Sequence, residues 1–485
     1  MQLCDTLIRN ARVVDGSGGD EFQAADVAIA GERIFAVGAK LDYSAPEVVD
    51  GSGLVLAPGF IDVHTHDDTN VIRAPEMLPK LSQGVTTVIV GNCGISAAPV
   101  RLAGEPPDPM NLLGDAGAFC YPTFAAYVQA VEAARPAVNV AALAGHTALR
   151  NNHMDRLDRA ATEAEIEAMR TQLIEALDCG ALGLSTGLAY LSANAATTEE
   201  VMALAEPLAR AGAMYTTHLR SETGAILEAM REAFAIGGEC RVPVVISHLK
   251  CAGVDNWGRS GEVLRALETA RATQAVSCDC YPYAAGSSTL DLRQVDERVE
   301  IRITWSRPHP EMAGRTLAEI AREWGIAQVE AARRLRPAGA IYYSISEEDM
   351  RRILRHPATM IGSDGLPNDP RPHPRLWGTF PRVLGWYSRE EGLFSLHEAV
   401  HKMTGMPARR FGLAQRGLIR EGYFGDVTLF DPEKIADRAT FSEPTRPAEG
   451  IVGVWVNGAH AYNGREPRIQ RSGRFLARSK TEWLQ

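Results

Sequence analysis

The sequence predicts an α/β protein, a TIM-like (β/α)8 barrel carrying a small β-sandwich domain built from both termini. Three observations predict it. Short, continuously apolar runs recur eight times through the middle of the chain, segments of helical period separate them, and both ends show short strands broken by tight glycine turns. Apolar strands alternating with amphipathic helices mark a parallel sheet covered by helices. Eight such units fit a closed barrel better than an open sheet.

The elements follow in order. Residues 5–14 run into the turn Asp15-Gly16-Ser17-Gly18, and 26–30 meet Gly31-Glu32-Arg33 before 34–37, a hairpin texture. The apolar runs are 60–66, 85–93, 139–145, 181–187, 214–219, 244–249, 276–283 and 359–364. Between them, 162–180 places Ile166, Met169, Leu173, Ile174 and Leu177 on one helical face, opens with Thr162 and Glu165 at capping-box spacing, and ends at Gly180. Thr197 and Glu200 open a second helix that closes before Gly212. The interval 284–358 is too long for one helical unit and is expected to be an insertion near the barrel mouth, a candidate lid. Strand texture returns at 425–430 and 451–456, bounded by Asp431-Pro432 and Asn457-Gly458. The expected division is 1–57 with 412–485 as the sandwich and 58–411 as the barrel.

Hydrophobic residues at 45% and charged residues at 23% exclude a disordered or fibrous chain. A net charge of −10 leaves no electrostatic footprint for nucleic acid or an anionic membrane. No apolar run approaches the roughly 18 residues of a membrane span, and the start lacks the pattern of a secretory signal. Eight cysteines in 485 residues are too sparse for a disulfide scaffold, and Cys4, Cys179, Cys240 and Cys278 read as packing residues. The expectation is a cytoplasmic protein whose partner is a small molecule, not nucleic acid or a membrane.

Side chains suited to a metal stand at the ends of the apolar runs: His64 and His66 on the first, Cys93 on the second, His218 on the fifth, His248 on the sixth and Asp364 on the eighth. All strand C-termini of a barrel open on one face, where its active site lies. Period two puts His64 and His66 on the same side of their strand. His and Cys are good zinc ligands, and Asp364 suits a ligand or a base.

With these residues the chain resembles the amidohydrolase superfamily, through Ala57-Pro-Gly-Phe-Ile-Asp-Val-His-Thr-His66, the later histidines and Gly362-Ser-Asp364. Within it the chain is most similar to the N-acyl-D-amino-acid deacylases (D-aminoacylases). That resemblance rests on Val90-Gly-Asn-Cys-Gly94, Leu184-Ser-Thr-Gly-Leu-Ala-Tyr190, Ser247-His-Leu-Lys250, Asn256-Trp-Gly-Arg-Ser260, Tyr281-Pro-Tyr283, Ile303-Thr-Trp-Ser306, Gly362-Ser-Asp-Gly-Leu-Pro-Asn368 and His373-Pro-Arg375.

The resemblance implies zinc-dependent hydrolysis of the amide of an N-acyl-D-amino acid, and the D preference rests on it alone. Many superfamily members bridge two metals with a lysine on the fourth strand, but 181–187 offers none. Cys93 is implied in its place, with one tight zinc on Cys93, His218 and His248 and a weaker second position on His64 and His66 sharing Cys93. Asp364 is implied to move the proton from the attacking water to the leaving amine. Lys250, Tyr281 and Arg375 are implied to recognise the α-carboxylate, while Ser287 and Ser288 are candidates for the side-chain pocket. His146 and Arg150 are weaker site candidates. Arg293, Arg298 and Arg302 either fold over the pocket and favour an acidic side chain, as in an N-acyl-D-glutamate deacylase, or pair with nearby acids on the surface. The alternatives are a cyclic-amide hydrolase or deaminase on the same barrel, and a non-catalytic scaffold.

Overall fold

The computed structural model describes residues 2–19, 23–102 and 104–479. Parallel strands run in sequence order through Phe60–Asp62, Val85–Val90, Asn139–Ala142 with Ala144–Gly145, Gly183–Gly187, Met214–His218, Val244–Ile246, Val276–Cys280 and Thr359–Ile361. The last returns to the first through a parallel bridge between Gly365 and Thr65 and a 2.7 Å bond from Asp364 N to His64 O, which closes the barrel. Ile61, Val63, Ile89, Leu143, Leu182, Met214, Val245 and Met360 fill its interior, and Phe411 and Leu413 join them from the chain beyond the barrel. Such a filled interior leaves only the mouth for chemistry.

The first strand departs from strict alternation. Ile61 and Val63 belong to the interior cluster, so an unbroken period of two would turn His64 toward the helices. The regular strand ends at Asp62, whose Oδ1 accepts the amide protons of His64 and Ser363. Its Oδ2 lies 2.8 Å from the fully buried Lys80 ammonium, which also reaches Asp67 Oδ2 at 3.1 Å and Ser363 Oγ at 3.0 Å. This buried ion cluster joins the strand bearing His64 to the one preceding Asp364.

Both chain ends contribute to one branched sheet, with Thr6–Val13, Gln23–Ala30, Arg33–Gly38, Glu47–Asp50 and Val55–Pro58 joined to Val427–Phe430, Ile451–Val456 and Ala459–Tyr462. Glu47 bonds Trp455 and His460 of the final hairpin, so the sheet folds over a core of Ile8, Val27, Ile34, Leu56, Val427, Leu429 and Trp455. Asp426, held by Arg416, accepts from Asn457 N and Asn139 Nδ2 and fastens this sheet to the third barrel strand.

The insertion is shorter than the expected 284–358. Its antiparallel strands Gly286–Thr289, Ile301–Ser306 and Ala338–Tyr342 and its helices Leu317–Trp324 and Gln328–Leu335 share a core of their own. Glu347–Arg355, capped by Ser346, packs on the helix Ser260–Arg271 and on the last barrel strand, so it is a barrel helix. Among the described residues no helix is long and apolar enough to cross a membrane.

His146 and Arg150 do not line the cavity at the barrel mouth. Thr197 caps its helix as expected, but the Glu200 side chain turns away from the cap and takes His146 Nε2 at 2.9 Å together with the Arg150 guanidinium. All three are buried. Burial would raise the Glu200 carboxyl, but His146 and Arg150 pull it down to about 2. The carboxylate therefore contributes stability that is present above its ordinary value of 4.5 and lost as pH falls toward about 2. Arg150→Ala, which strands a buried carboxylate, is expected to cost about 3–5 kcal/mol in urea unfolding. Glu200→Gln should flatten the acid limb of the stability curve; an unchanged acid limb would place the acid sensitivity elsewhere.

Candidate active site

A cavity of about 300 Å³ opens at the mouth of the barrel. Cys93, His248 and Asp364 stand just beyond their strands with φ of 55°, 35° and 49°, a left-handed backbone that residues with a side chain rarely adopt. Strain of this kind collects where geometry serves function. The fourth strand makes room for Cys93 through Gly187, where a Cβ would fall 2.1 Å from Cys93 O.

The histidines face the thiol. Cys93 Sγ lies 3.2 Å from His64 Nε2 and 3.3 Å from His248 Nε2. His64 Nδ1 is 3.2 Å from Asp279 Oδ1, an oxygen that also accepts the His248 amide proton at 2.9 Å. His66 Nε2 is 3.2 Å from Asp364 Oδ1. Glu222 Oε1 lies 2.9 Å from His248 Nδ1, and its Oε2 lies 3.5 Å from His218 Nε2. His66 Nδ1 and His218 Nδ1 are buried without a hydrogen-bond partner among the described residues.

Three sets of donor atoms each fit within 4.8 Å: His64, Cys93 and His248; His64, His66 and Asp364; His218, Glu222 and His248. The structure thus gathers all five expected ligand residues and Asp364 at one place, in a different grouping. The expected trio of Cys93, His218 and His248 is divided between two sets that share His248. One thiolate among imidazoles is a donor set suited to zinc, and the unpartnered His218 nitrogen leaves a lone pair for it.

The charges cooperate. Burial pushes the Cys93 thiol up, but His64 and His248 outweigh it and hold it well below its usual range. Burial lowers His66 and His248, yet Asp364 and Cys93 for the first, and Glu222 and Cys93 for the second, lift both to about 9. Asp364 would rise on burial, but Arg375 and then His64 keep it well below the ordinary carboxylate range.

The same cavity is also lined by donors. Lys250 Nζ lies 2.5 Å from Glu222 Oε1. Tyr281 Oη and Ser287 Oγ are buried and have no partner among the described residues, and burial pushes the Tyr281 hydroxyl up to about 12, so it remains a donor. Arg375 does not line the cavity. Its guanidinium lies over the Tyr281 ring at 4.5 Å and places Nη1 2.8 Å from Asp364 Oδ2, so it stands behind the acid. Arg293 does line the cavity, half-exposed, with Asp291 and Ala189 O as partners and Nη1 without one among the described residues. Arg298 pairs with Asp255 and Asp296, and Arg302 with Glu300; neither lines the cavity. Asp62, Lys80, Glu222 and Asp279 are the site residues that the sequence reading missed. Glu222, four residues past His218, carried the one local signal.

The chain matches the amidohydrolase family model over residues 47–462. It is 50% identical to the D-aminoacylase of Alcaligenes xylosoxydans xylosoxydans, over 99% of this chain and 98% of that one. A solved D-aminoacylase with a binuclear metal centre, described by one-metal activation and second-metal attenuation, aligns with a TM-score of 0.96 at 49% identity, over 98% of this chain and 100% of that one. The N-acyl-D-glutamate deacylase of Bordetella bronchiseptica, solved with zinc and a phosphonate mimic of the tetrahedral intermediate, aligns with a TM-score of 0.95 at 45% identity over the same shares.

Cys93→Ala and His248→Ala are each expected to strip the purified protein of most of about one tightly held zinc per chain. Zinc content by atomic emission checks this, and full retention in either variant would remove that residue from the ligand set.

Proposed function

The chain belongs to the amidohydrolase family, and on that footing we propose that it hydrolyses the amide bond of N-acyl-D-amino acids with zinc, giving a carboxylate and a free D-amino acid. One observation carries the reading. One cavity is lined by His66, His218 and His248 of the cysteine–imidazole donor cluster together with an ionised Asp364, and also by Lys250 and the Tyr281 and Ser287 hydroxyls, which have no partner among the described residues. The first arrangement suits an amide carbonyl under attack, the second the α-carboxylate of the same molecule.

Cys93, His218 and His248 are assigned to the tight zinc, and His64 and His66 to a weaker position sharing Cys93. Zinc, when bound, supplies Lewis-acid polarisation of the amide carbonyl and lowers the pKa of the attacking water. Asp364, held ionised by Arg375, is the proton acceptor for that water. A weak carboxylate base then gives its proton readily to the leaving nitrogen, which departs poorly as an anion. Lys250 and Tyr281 orient the α-carboxylate by charge-assisted bonds, and Arg375, which does not line the cavity, supports that recognition only through the Tyr281 ring and Asp364. The insertion supplies the wall that meets the side chain, with Ser287, Arg293, Tyr342 and Ile345.

Asp364→Asn keeps the shape and removes the acceptor. Zinc should stay bound while kcat on N-acetyl-D-amino acids falls by about two orders of magnitude or more; turnover within a few-fold of wild type would assign the proton transfer to another group. In the same assay N-acetyl-L-amino acids should be poor substrates, and equal use of both series would contradict the D assignment.

Arg293, through its free Nη1, is assigned to an acidic side chain. N-acyl-D-glutamate is expected to exceed N-acyl-D-glutamine in kcat/KM by about tenfold or more, with Arg293→Ala removing the difference. A tenfold lead for hydrophobic D-amino acids would refute the acidic pocket and leave the deacylase reading standing.

A further inference from the structure

Glu222 occupies a junction that the reaction itself does not explain. It follows the fifth barrel strand, its side chain is 12% exposed, and it touches three groups. Oε1 lies 2.9 Å from His248 Nδ1 and 2.5 Å from Lys250 Nζ, and Oε2 lies 3.5 Å from His218 Nε2. Its backbone is fixed as well, because Glu222 O accepts the Ala252 amide proton at 2.8 Å and so ties this loop to the one that follows His248.

The protons at this junction have to be placed. His248 presents Nε2 to Cys93 Sγ, so a metal held between them needs the Nε2 lone pair, and the imidazole proton must sit on Nδ1. Lys250 Nζ lies 2.9 Å from that same Nδ1. An ammonium has donors only. A lysine left facing Nδ1 would therefore bond to its lone pair, place the imidazole proton on Nε2 and block the nitrogen that faces Cys93. Glu222 Oε1 accepts from Lys250 Nζ and lies 2.9 Å from His248 Nδ1, within reach of a proton placed there.

We propose that Glu222 is a positioning residue that holds His248 in its metal-binding tautomer by accepting the Nδ1 proton and by occupying the Lys250 ammonium that would otherwise bond to Nδ1. This rests on the assignment of His248 as a zinc ligand. One carboxylate then couples the two halves of the site: it sets the tautomer of a metal ligand and aims the lysine assigned to the substrate carboxylate. Carboxylates that accept from the outer nitrogen of a ligand histidine commonly strengthen metal binding by about 10–100-fold.

The test is zinc affinity, read by competition with a chromogenic chelator, in Glu222→Gln, Lys250→Met and the double variant. Glu222→Gln should weaken zinc by about tenfold or more, Lys250→Met alone should leave zinc affinity within a few-fold, and adding Lys250→Met to Glu222→Gln should recover most of the loss. A purely structural role for Glu222 gives no such recovery. If Glu222→Gln does not fold, judged by its thermal melt, Glu222→Ala with and without Lys250→Met serves the same comparison. Unchanged affinity without Glu222, or a loss that Lys250→Met fails to restore, overturns the proposal. His248→Ala separates the two levels: retention of zinc there fells the site assignment, whereas its loss there with no effect at Glu222 fells this inference alone.

Discussion

The thiol of Cys93 is the point on which the site is organised. It is buried between two imidazoles at about van der Waals distance, and their charge outweighs burial in holding the thiol well below its usual range. Everything near it serves that placement. The second strand ends early and turns through a left-handed backbone, the fourth strand yields space at Gly187, and the His248 and Asp364 backbones adopt the same unusual region. Such conformations persist only where the surroundings over-determine them.

The surroundings do so through buried carboxylates. Asp279 bonds the His64 ring and the His248 amide, joining the seventh strand to the first and sixth. Asp62, with Lys80 and Ser363 against it, joins the first strand to the eighth. Arg375 lies against Asp364 and over Tyr281, so it links the acid to the wall assigned to the substrate carboxylate. The residues assigned to the metal thus form a layer of charge-satisfied contacts above an apolar barrel interior, and their geometry is inherited from the closure of the barrel itself.

Much of this was legible in the sequence, because a parallel barrel writes its chemistry at strand ends. Eight apolar runs, each read with its last polar residue, located His64, His66, Cys93, His218, His248 and Asp364 in one mouth. What escaped was the second layer. Asp62 and Asp279 are single acids inside apolar runs, and Lys80 lies on a short helix, so neither spacing nor periodicity marks them. Thr197 and Glu200 read as a helix cap, but tertiary contacts with His146 and Arg150 claimed the glutamate, and with it the two side chains that would otherwise be free for the cavity. Arg293 and Arg298 stand five residues apart in the same excursion, yet one lines the cavity and the other pairs with Asp255 on the surface; only the folded insertion distinguishes them.

The central claim is that a cysteine, where many superfamily members use a lysine, holds the metal. X-ray absorption at the zinc edge of the zinc-loaded protein, with Cys93→Ala reloaded under the same conditions, measures it directly. A sulfur scatterer at about 2.3 Å in the wild type that is absent from the variant is the expected result. A shell of nitrogen and oxygen alone in the wild type would contradict it.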